Sequence, residues 1–186
     1  SNESGIYNAY LINLESGKSQ PLTESKDESV WVSSLFPNDS RMIYTADSGG
    51  NEIDHIFLRN EDGSTKELTP DEGAKAGFHG WSDDLKSFFF GSNKRDKRYM
   101  DVYEMDIENF DSKLIYKNTE GYDFDGISNN KQYIAVTKSI NTNDVDLFLL
   151  DTKTNKKIKI NENKSGNSSA DFSVDSKSFY YLTNDG

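Results

Sequence analysis

Short runs of aromatic and β-branched residues recur along the whole chain, separated by clusters of Asn, Asp, Ser and Gly. Such runs, bounded by turn-forming residues, are typical of β-strands, and clear cases lie at residues 42–45, 88–90, 133–136 and 179–182. No stretch shows the apolar spacing of about 3.6 residues that marks an amphipathic helix. The pattern therefore predicts an all-β chain built from short strands.

One turn sequence repeats through the chain at a nearly constant distance. An aromatic or apolar residue is followed by Ser or Pro, any residue, and then Asp or Asn, shortly before each of those runs. The Asp or Asn suits a tight turn because its side chain can bond the backbone two residues on. These predicted structural turn residues, separated by 45, 46 and 45 positions, are Asp39, Asp84, Asn130 and Asp175.

A second landmark keeps the same period. Strand-like runs that end in Asp or Asn begin with an aromatic residue, and these aromatics lie 47, 46 and 45 positions apart at Tyr10, Phe57, Tyr103 and Phe148. A tandem unit of about 45 residues with four short antiparallel strands is typical of a β-propeller blade. One blade cannot bury both faces of its sheet, so the blades must stack around an axis.

We interpret residues 1–186 as one propeller domain. The repeats divide it into three blades and two half blades. The predicted blades span residues 24–70, 71–117 and 118–162, and the half blades span 5–23 and 163–186. Because four-bladed propellers are uncommon, we predict a fragment of about four blade equivalents from a larger propeller. The alternative is a self-contained four-bladed ring that joins residues 6–22 to 169–183.

Composition excludes several classes of function. The 186 residues carry a formal net charge of −11, which argues against binding to the phosphate backbone of nucleic acids. The chain has no Cys, which excludes disulfides, a thiol nucleophile and thiolate metal sites. No apolar run approaches the length of about 18 residues that a membrane span requires. We therefore expect a soluble chain, whose compartment would be set by a targeting segment upstream of Ser1.

Particular stretches of the repeats are shared with known propellers. The turn Ser82-Asp83-Asp84-Leu85-Lys86 resembles the S-x-D-x-K turn of TolB-type propeller repeats. Further shared stretches are Gly5-Ile6-Tyr7-Asn8-Ala9-Tyr10-Leu11, Phe36-Pro37-Asn38-Asp39, Gly49-Gly50-Asn51-Glu52, His55-Ile56-Phe57, Gly80-Trp81-Ser82, Lys86-Ser87-Phe88-Phe89, Lys117-Asn118, Glu120-Gly121-Tyr122 and Phe172-Ser173-Val174-Asp175-Ser176-Lys177. Together they make nearly the whole chain resemble the N-terminal propeller of the prolyl oligopeptidase family of serine peptidases.

This resemblance implies a role and partners. In that family a C-terminal α/β-hydrolase domain carries the catalytic Ser, Asp and His, and the propeller screens large substrates. No stretch here matches the hydrolase domain, so we expect a non-catalytic chain without a cofactor that meets a hydrolase domain and a peptide substrate or protein partner. The alternative is a TolB-like propeller that binds a protein or peptide. Open strand edges would favour a homodimer in either case.

Candidate catalytic groups fit the turn pattern better than an active site. A nucleophile elbow needs G-x-S-x-G, and the nearest matches, around Ser48 and at residues 166–170, each lack a required glycine. Ser128 begins an S-x-x-K sequence that belongs to the repeated turn. The two histidines have no metal-binding spacing. We expect His55 to be an ordinary sheet residue and His79 to lie on an innermost strand, facing the central channel.

Charged clusters likewise indicate no bound ion. Residues 123–126 and 141–146 offer oxygen atoms, but neither stretch supplies the six oxygens and closing Glu of a calcium loop. The basic run at residues 94–98 is interpreted as a solvated loop, which in a whole enzyme could meet a neighbouring domain or an acidic peptide. The sequence therefore predicts no catalytic, cofactor-binding or metal-binding residue.

Overall fold

The computed structural model describes residues 5–142, 144–161 and 169–182, and every regular element within those ranges is a β-strand. The strands form five antiparallel sheets, each built from strands that follow one another in the chain. Three of the sheets have four strands and two have two strands. The prediction of an all-β chain of four-stranded antiparallel units is confirmed.

The strands are numbered in chain order. A two-stranded sheet holds β1 (Tyr10–Ile12) and β2 (Ser19–Pro21). The second sheet holds β3 (Trp31–Leu35), β4 (Met42–Ala46), β5 (His55–Arg59) and β6 (Thr65–Glu67). The third holds β7 (Ala76–Trp81), β8 (Ser87–Ser92), β9 (Asp101–Asp106) and β10 (Ser112–Tyr116). The fourth holds β11 (Asp123–Ile127), β12 (Tyr133–Ser139), β13 (Val145–Asp151) and β14 (Lys156–Lys159), and the fifth holds β15 (Ser169–Phe172) and β16 (Phe179–Leu182).

The second strand of each complete sheet is covered on both faces. In β4, Met42 and Tyr44 pack toward the first sheet, whereas Ile43 between them packs toward the third sheet. Successive side chains of a strand point to opposite faces, so an uninterrupted apolar run needs an apolar neighbour on each side. The same reason explains the consecutive buried residues Phe88, Phe89 and Phe90 in β8.

The hydrophobic core lies between the sheets. The largest cluster joins Phe36, Ile43 and Ile56 of the second sheet to Phe88 and Phe90 of the third. Separate clusters join the first sheet to the second and the third sheet to the fourth. Each sheet is therefore stabilised mainly by apolar burial against the sheets next to it in the chain.

The two half-sheets do not complete one another. In the described part of the chain, β1 pairs only with β2 and β16 pairs only with β15. Leu11 and Ile12 of β1 are exposed, as are Tyr181 and Leu182 of β16. The four-bladed ring considered from the sequence, which would join these two sheets, is not formed here.

A bulge recurs in the first strand of every complete sheet. Pairing with the second strand shifts register between Val32 and Ser34, between Phe78 and Gly80, and between Phe124 and Gly126. A β-bulge leaves one residue without a ladder partner and turns its side chain to a new direction. The residues left over by these shifts are Ser33, His79 and Asp125.

Candidate functional site

The first strands of successive sheets meet one another and form a continuous surface, which we call the inner wall (β3, β7, β11 and β15). Trp81 of β7 donates a hydrogen bond through Nε1 to Ser34 Oγ of β3 at 2.9 Å. Gly126 of β11 lies beside the ring of Phe172 in β15. Residues on the exposed side of this wall face the axis around which the sheets stack, the position where propellers carry their central channel.

His79 lies on the inner wall at the bulge of β7. Its ring packs against Phe124 of the next sheet, with 4.7 Å between the ring centroids. Although His79 remains exposed to solvent as a residue, the protein packed around its ring disfavours the imidazolium and lowers its pKa to about 4. The imidazole is therefore neutral at pH 7, and its packing contact joins two sheets.

Asp125 occupies the same bulge position in β11 as His79 does in β7. Burial raises the pKa of the Asp125 carboxyl, a hydrogen bond from the Ala170 backbone N–H lowers it, and the nearby charge of Asp171 raises it further. The net effect is a raised pKa for Asp125. The bulge thus turns an exposed polar side chain toward the following sheet at two successive sheets of the inner wall.

The four turn residues predicted from the sequence lie between the first and second strands. In three of these turns a serine Oγ donates a hydrogen bond to the Asp or Asn side chain two residues later. The distances are 2.8 Å from Ser82 to Asp84, 2.8 Å from Ser128 to Asn130 and 2.7 Å from Ser173 to Asp175. The same Asp or Asn Oδ1 accepts the backbone N–H two residues further on. The residue between the Asp or Asn and that N–H has a left-handed φ angle in each turn. The angles are 57° at Leu85, 59° at Lys131 and 58° at Ser176.

The first turn uses different partners. Pro37 stands where the other turns have serine, and Asp39 is instead paired with Arg41 at 2.8 Å. The Arg41 side chain lowers the pKa of Asp39, whereas the serine hydroxyls lower the pKa values of Asp84 and Asp175. All four turn residues are therefore engaged within their own turns, and none of them is directed at the inner wall.

A side-chain hydrogen bond that the sequence analysis missed holds the fourth strand to the third. The N–H of Ala9 donates to Thr23 Oγ1 at 2.9 Å, and the N–H of Ile56 donates to Thr69 Oγ1 at 2.8 Å. In the fourth sheet the N–H of Leu147 donates to Asn161 Oδ1 at 2.8 Å. The Leu-Thr sequence that recurs at residues 22–23 and 68–69 could have indicated two of these hydrogen bonds, since both Thr residues accept one.

The third sheet replaces this bond with a buried ionic network. The fully buried Asp101 accepts two hydrogen bonds from Arg95, at 2.6 and 2.8 Å, and one from the Asn118 N–H at 2.8 Å. Arg95 also donates to the Asn118 carbonyl at 2.6 Å, and Asn118 Nδ2 donates to the Tyr122 carbonyl at 2.6 Å. The network fixes the loop before β9 to the segment that leads into β11.

Residues 94–98 form a loop in which Arg95, Lys97 and Arg98 are exposed, as the interpretation of a solvated loop expects, but the basic side chains also have partners that the sequence did not indicate. Lys94 lies 3.6 Å from the Asp71 carboxylate and 4.6 Å from the centroid of the Tyr103 ring. Lys97 donates to the Glu72 carbonyl at 3.2 Å. Arg98 has the most exposed side chain of those measured in the ion pairs of this loop, and it pairs with Asp96 at 2.8 Å. These positive charges stabilise the loop, since each has a partner inside it or beside it.

The remaining candidates lie in separate places. His55 begins β5 and pairs with Glu67 of the neighbouring β6. Ser48 lies in the loop after β4, and Ser128 is bonded within its turn. Residues 166–168 and Asn143 lie outside the described residues. Across the described ranges, no three His, Asp or Glu residues are grouped to hold a metal ion, and no helix could span a membrane.

Comparisons with known proteins agree with this architecture. Residues 21–186 match the family model described as the prolyl oligopeptidase N-terminal β-propeller domain. A search of curated proteins gave no match. Among solved structures, TolB from Acinetobacter baumannii is similar at 20% identity with a TM-score of 0.59, covering 91% of this chain and 41% of TolB.

Two peptidase structures are similar in fold. A prolyl endopeptidase structure matches at 12% identity with a TM-score of 0.61, covering 95% of this chain and 29% of the peptidase. Prolyl oligopeptidase B from Galerina marginata matches at 8% identity with a TM-score of 0.60, covering 89% of this chain and 25% of that protein. The chain thus spans well under half the length of these proteins, and at such identities the likeness shows the fold.

Proposed function

The chain belongs to the family of prolyl oligopeptidase N-terminal β-propeller domains, and from that membership we propose that it is the non-catalytic propeller portion of a serine peptidase. In this role it supports a hydrolase domain and screens the access of substrates to it. By itself the chain hydrolyses neither peptides nor esters. The observation that supports this proposal most directly is the inner wall.

The inner wall has the properties that a screening surface requires. It is built from rigid sheet edges, so its dimensions are set by backbone pairing and by contacts between sheets such as that of Trp81 with Ser34. Its exposed residues include the polar Ser33, Asp123 and Asp125. In β3 they also include the apolar Trp31, Val32 and Leu35. A peptide passing along such a surface would be selected by size and charge.

One experiment tests screening in the protein that carries both this propeller and a hydrolase domain. Ser33→Trp places a bulky ring on the inner wall, and we expect kcat/KM for a long peptide to fall at least tenfold while that for a short chromogenic peptide is unchanged. Ser48→Trp, on the loop after β4, is the matched control and should alter neither. Equal loss for both peptides, or no loss for the long one, would contradict the screening role.

A second experiment tests the absence of catalysis. The purified 186-residue chain should show no hydrolysis of a proline-containing chromogenic peptide or of a simple ester. Turnover that a serine-directed inhibitor abolishes would refute this part of the proposal.

The second candidate is a TolB-like module that binds a protein or peptide. The S-x-D-x-K form of the turn at Ser82, Asp84 and Lys86 supports it, because TolB-type repeats share that turn. The parent reading frame distinguishes the two: a G-x-S-x-G sequence downstream of Gly186 supports the peptidase, and a frame that ends near Gly186 supports the binding module.

A further inference from the structure

A lysine is held between an aromatic ring and a carboxylate in the groove between the second and third sheets. Lys94 Nζ lies 4.6 Å from the centroid of the Tyr103 ring in β9 and 3.6 Å from the carboxylate of Asp71. Asp71 belongs to the segment that connects β6 to β7 and so joins one sheet to the next. An ammonium group in this position is attracted both by the face of the ring and by the negative charge.

The groove between the third and fourth sheets holds a lysine in the same way. Lys157 Nζ lies 5.5 Å from the centroid of the Phe148 ring in β13 and 2.8 Å from the carboxylate of Glu120. Glu120 lies in the segment that connects β10 to β11, and Phe148 and Tyr103 are the recurring third-strand aromatics of their sheets. In both grooves the chain therefore supplies its own cation.

The groove between the first and second sheets has the aromatic ring without the lysine. Phe57 is the third-strand aromatic of the second sheet, and its ring stacks on that of Tyr44 with centroids 5.3 Å apart. Thr65 stands where the fourth sheet has Lys157, since each pairs with the residue two positions after the aromatic of the third strand. In the described part of the chain, no Lys or Arg lies over the Phe57 ring.

The carboxylates of this groove are not compensated by lysine or arginine. Two adjoining cavities of about 290 and 330 Å³ share Glu28, Ala46 and Phe57, and no Lys or Arg lines either of them. Their walls also carry Glu24, Asp47, Glu67 and Glu72. Glu67 pairs with His55, whereas the other carboxylates form no ion pair within the described ranges. The groove is therefore a negatively charged surface beside an aromatic ring.

Glu28 occupies the position in the repeat that Glu120 occupies in the next occurrence of this groove. Each lies four residues before the bulge of the following first strand begins, at Val32 and at Phe124. Arg59, at the turn end of the groove, is engaged by backbone instead. Its Nε donates to the Leu22 carbonyl at 2.6 Å and its Nη1 to the Asn60 carbonyl at 3.2 Å.

We propose that this groove binds a lysine side chain presented by a peptide or by a flexible segment of a partner protein. The ammonium lies against the Phe57 ring and Glu28, as the ammonium groups of Lys94 and Lys157 lie in the other two grooves. Charge complementarity selects this occupant, and the apolar Ala46 and Phe57 can contact the methylene groups of its side chain. All residues that line the groove lie between Leu22 and Gly73, within the described ranges.

An NMR titration of the 186-residue chain tests the proposal. The probe is a pentapeptide with blocked ends and one central lysine flanked by alanines. We expect saturable shifts at the backbone amides of Glu28 and Phe57, and at least threefold weaker binding to Glu28→Gln. The same peptide with norleucine in place of lysine keeps the methylene groups without the charge and should bind at least tenfold more weakly.

Thr65→Lys provides the second measurement, because it places an ammonium of the chain itself in the groove as Lys157 does in the fourth sheet. It should abolish the saturable shifts. The matched control is Ser112→Lys, which adds the same charge at the equivalent position of the third sheet, two residues beyond the partner of the strand's aromatic, and should leave binding unchanged. Circular dichroism should be the same for both variants and the wild type.

Three results would overturn the proposal: no saturable shifts in the wild type, equal binding of the norleucine peptide, or unchanged binding to Thr65→Lys. General attraction of the probe to the net charge of −11 would weaken binding equally in Thr65→Lys and Ser112→Lys, and that result also overturns it. None of these outcomes depends on the peptidase role, since the groove lies between two sheets and the titration involves no hydrolase domain.

Discussion

Arg95 and Asp101 form an ion pair with two hydrogen bonds in which the carboxylate is completely buried. Removing one partner of such a pair leaves the other buried and uncompensated, which costs far more than the pair itself contributes. Arg95→Ala leaves the fully buried Asp101 carboxylate without its cation and should therefore lower the free energy of unfolding by about 3 kcal/mol, as measured by urea denaturation at pH 7.

The same loop supplies the control for this variant. Arg98 makes a similar pair with Asp96, at 3.0 and 2.8 Å, but the Arg98 side chain is 74% exposed. Exposed ion pairs contribute little because water screens them, so Arg98→Ala should leave the urea midpoint unchanged. Equal effects of the two substitutions would contradict the structural role assigned to Asp101.

Gly91 is required by the position of the His79 ring. A Cβ at Gly91 would lie 2.7 Å from His79 Nε2, which is closer than packed atoms approach. Gly91→Ala should therefore destabilise the chain by about 1–3 kcal/mol through overpacking. Adding His79→Ala should recover most of that loss, and a double-mutant cycle measures the recovery.

The cross-strand partner of Gly91 is the matched control. Gly77 pairs with Gly91 in the β7–β8 ladder, and a Cβ there would meet no atom within 4 Å. Gly77→Ala should be neutral or slightly stabilising. If both glycine variants lose the same stability, the clash with His79 is not the cause.

His79 should make stability depend on pH between about 6.5 and about 4. Its pKa is about 4 in the folded chain against 6.5 ordinarily, so over that range the unfolded chain binds more protons than the folded one. The contribution of His79 to stability is therefore fully present above pH 6.5 and is lost as the pH decreases toward 4. Urea denaturation of His79→Gln should show a smaller fall than the wild type.

The pKa itself can be measured by NMR. The chain has two histidines, so in His55→Gln the remaining ring resonances belong to His79 and should titrate well below pH 6.5. A His79 titration at its ordinary value would refute the packing of its ring against Phe124.

The repeated turn should depend on its serine and tolerate Asn in place of Asp. Ser82 is buried, and its Oγ both donates to Asp84 and accepts the Ser87 N–H at 3.0 Å. Ser82→Ala should cost about 1–2 kcal/mol because these buried polar groups lose their partner. Asp84→Asn should be nearly neutral, since Asn130 already makes the same bonds. A large loss for Asp84→Asn in urea denaturation would show that the charge matters.

Much of the fold could be predicted from the sequence because its signals are local. Alternation, turn residues and a constant period depend on neighbours in the chain, and they correctly indicated four-stranded sheets and the strand positions. The ionic network around Asp101 was missed because it joins residues 95, 101 and 118, and no local pattern connects them. The partners of the basic residues at 94–98 were missed for the same reason.

The inner wall was only partly predictable. Placing His79 on an innermost strand followed from the repeat, but the bulge that turns His79 and Asp125 toward the next sheet is a register shift, visible only once strands are paired. The packing of His79 against Phe124 likewise depends on how two sheets stack. Periodicity specifies which strands exist, whereas contacts between sheets specify what their side chains do.

Every sheet in the described part of the chain is assembled from strands that are consecutive in the sequence. Each one can therefore form as soon as its last strand has left the ribosome, without waiting for a distant segment, and it can then serve as a template for the next. We expect such a protein to acquire its structure from the N-terminus onward during synthesis, with each new sheet presenting an apolar face until the next sheet covers it.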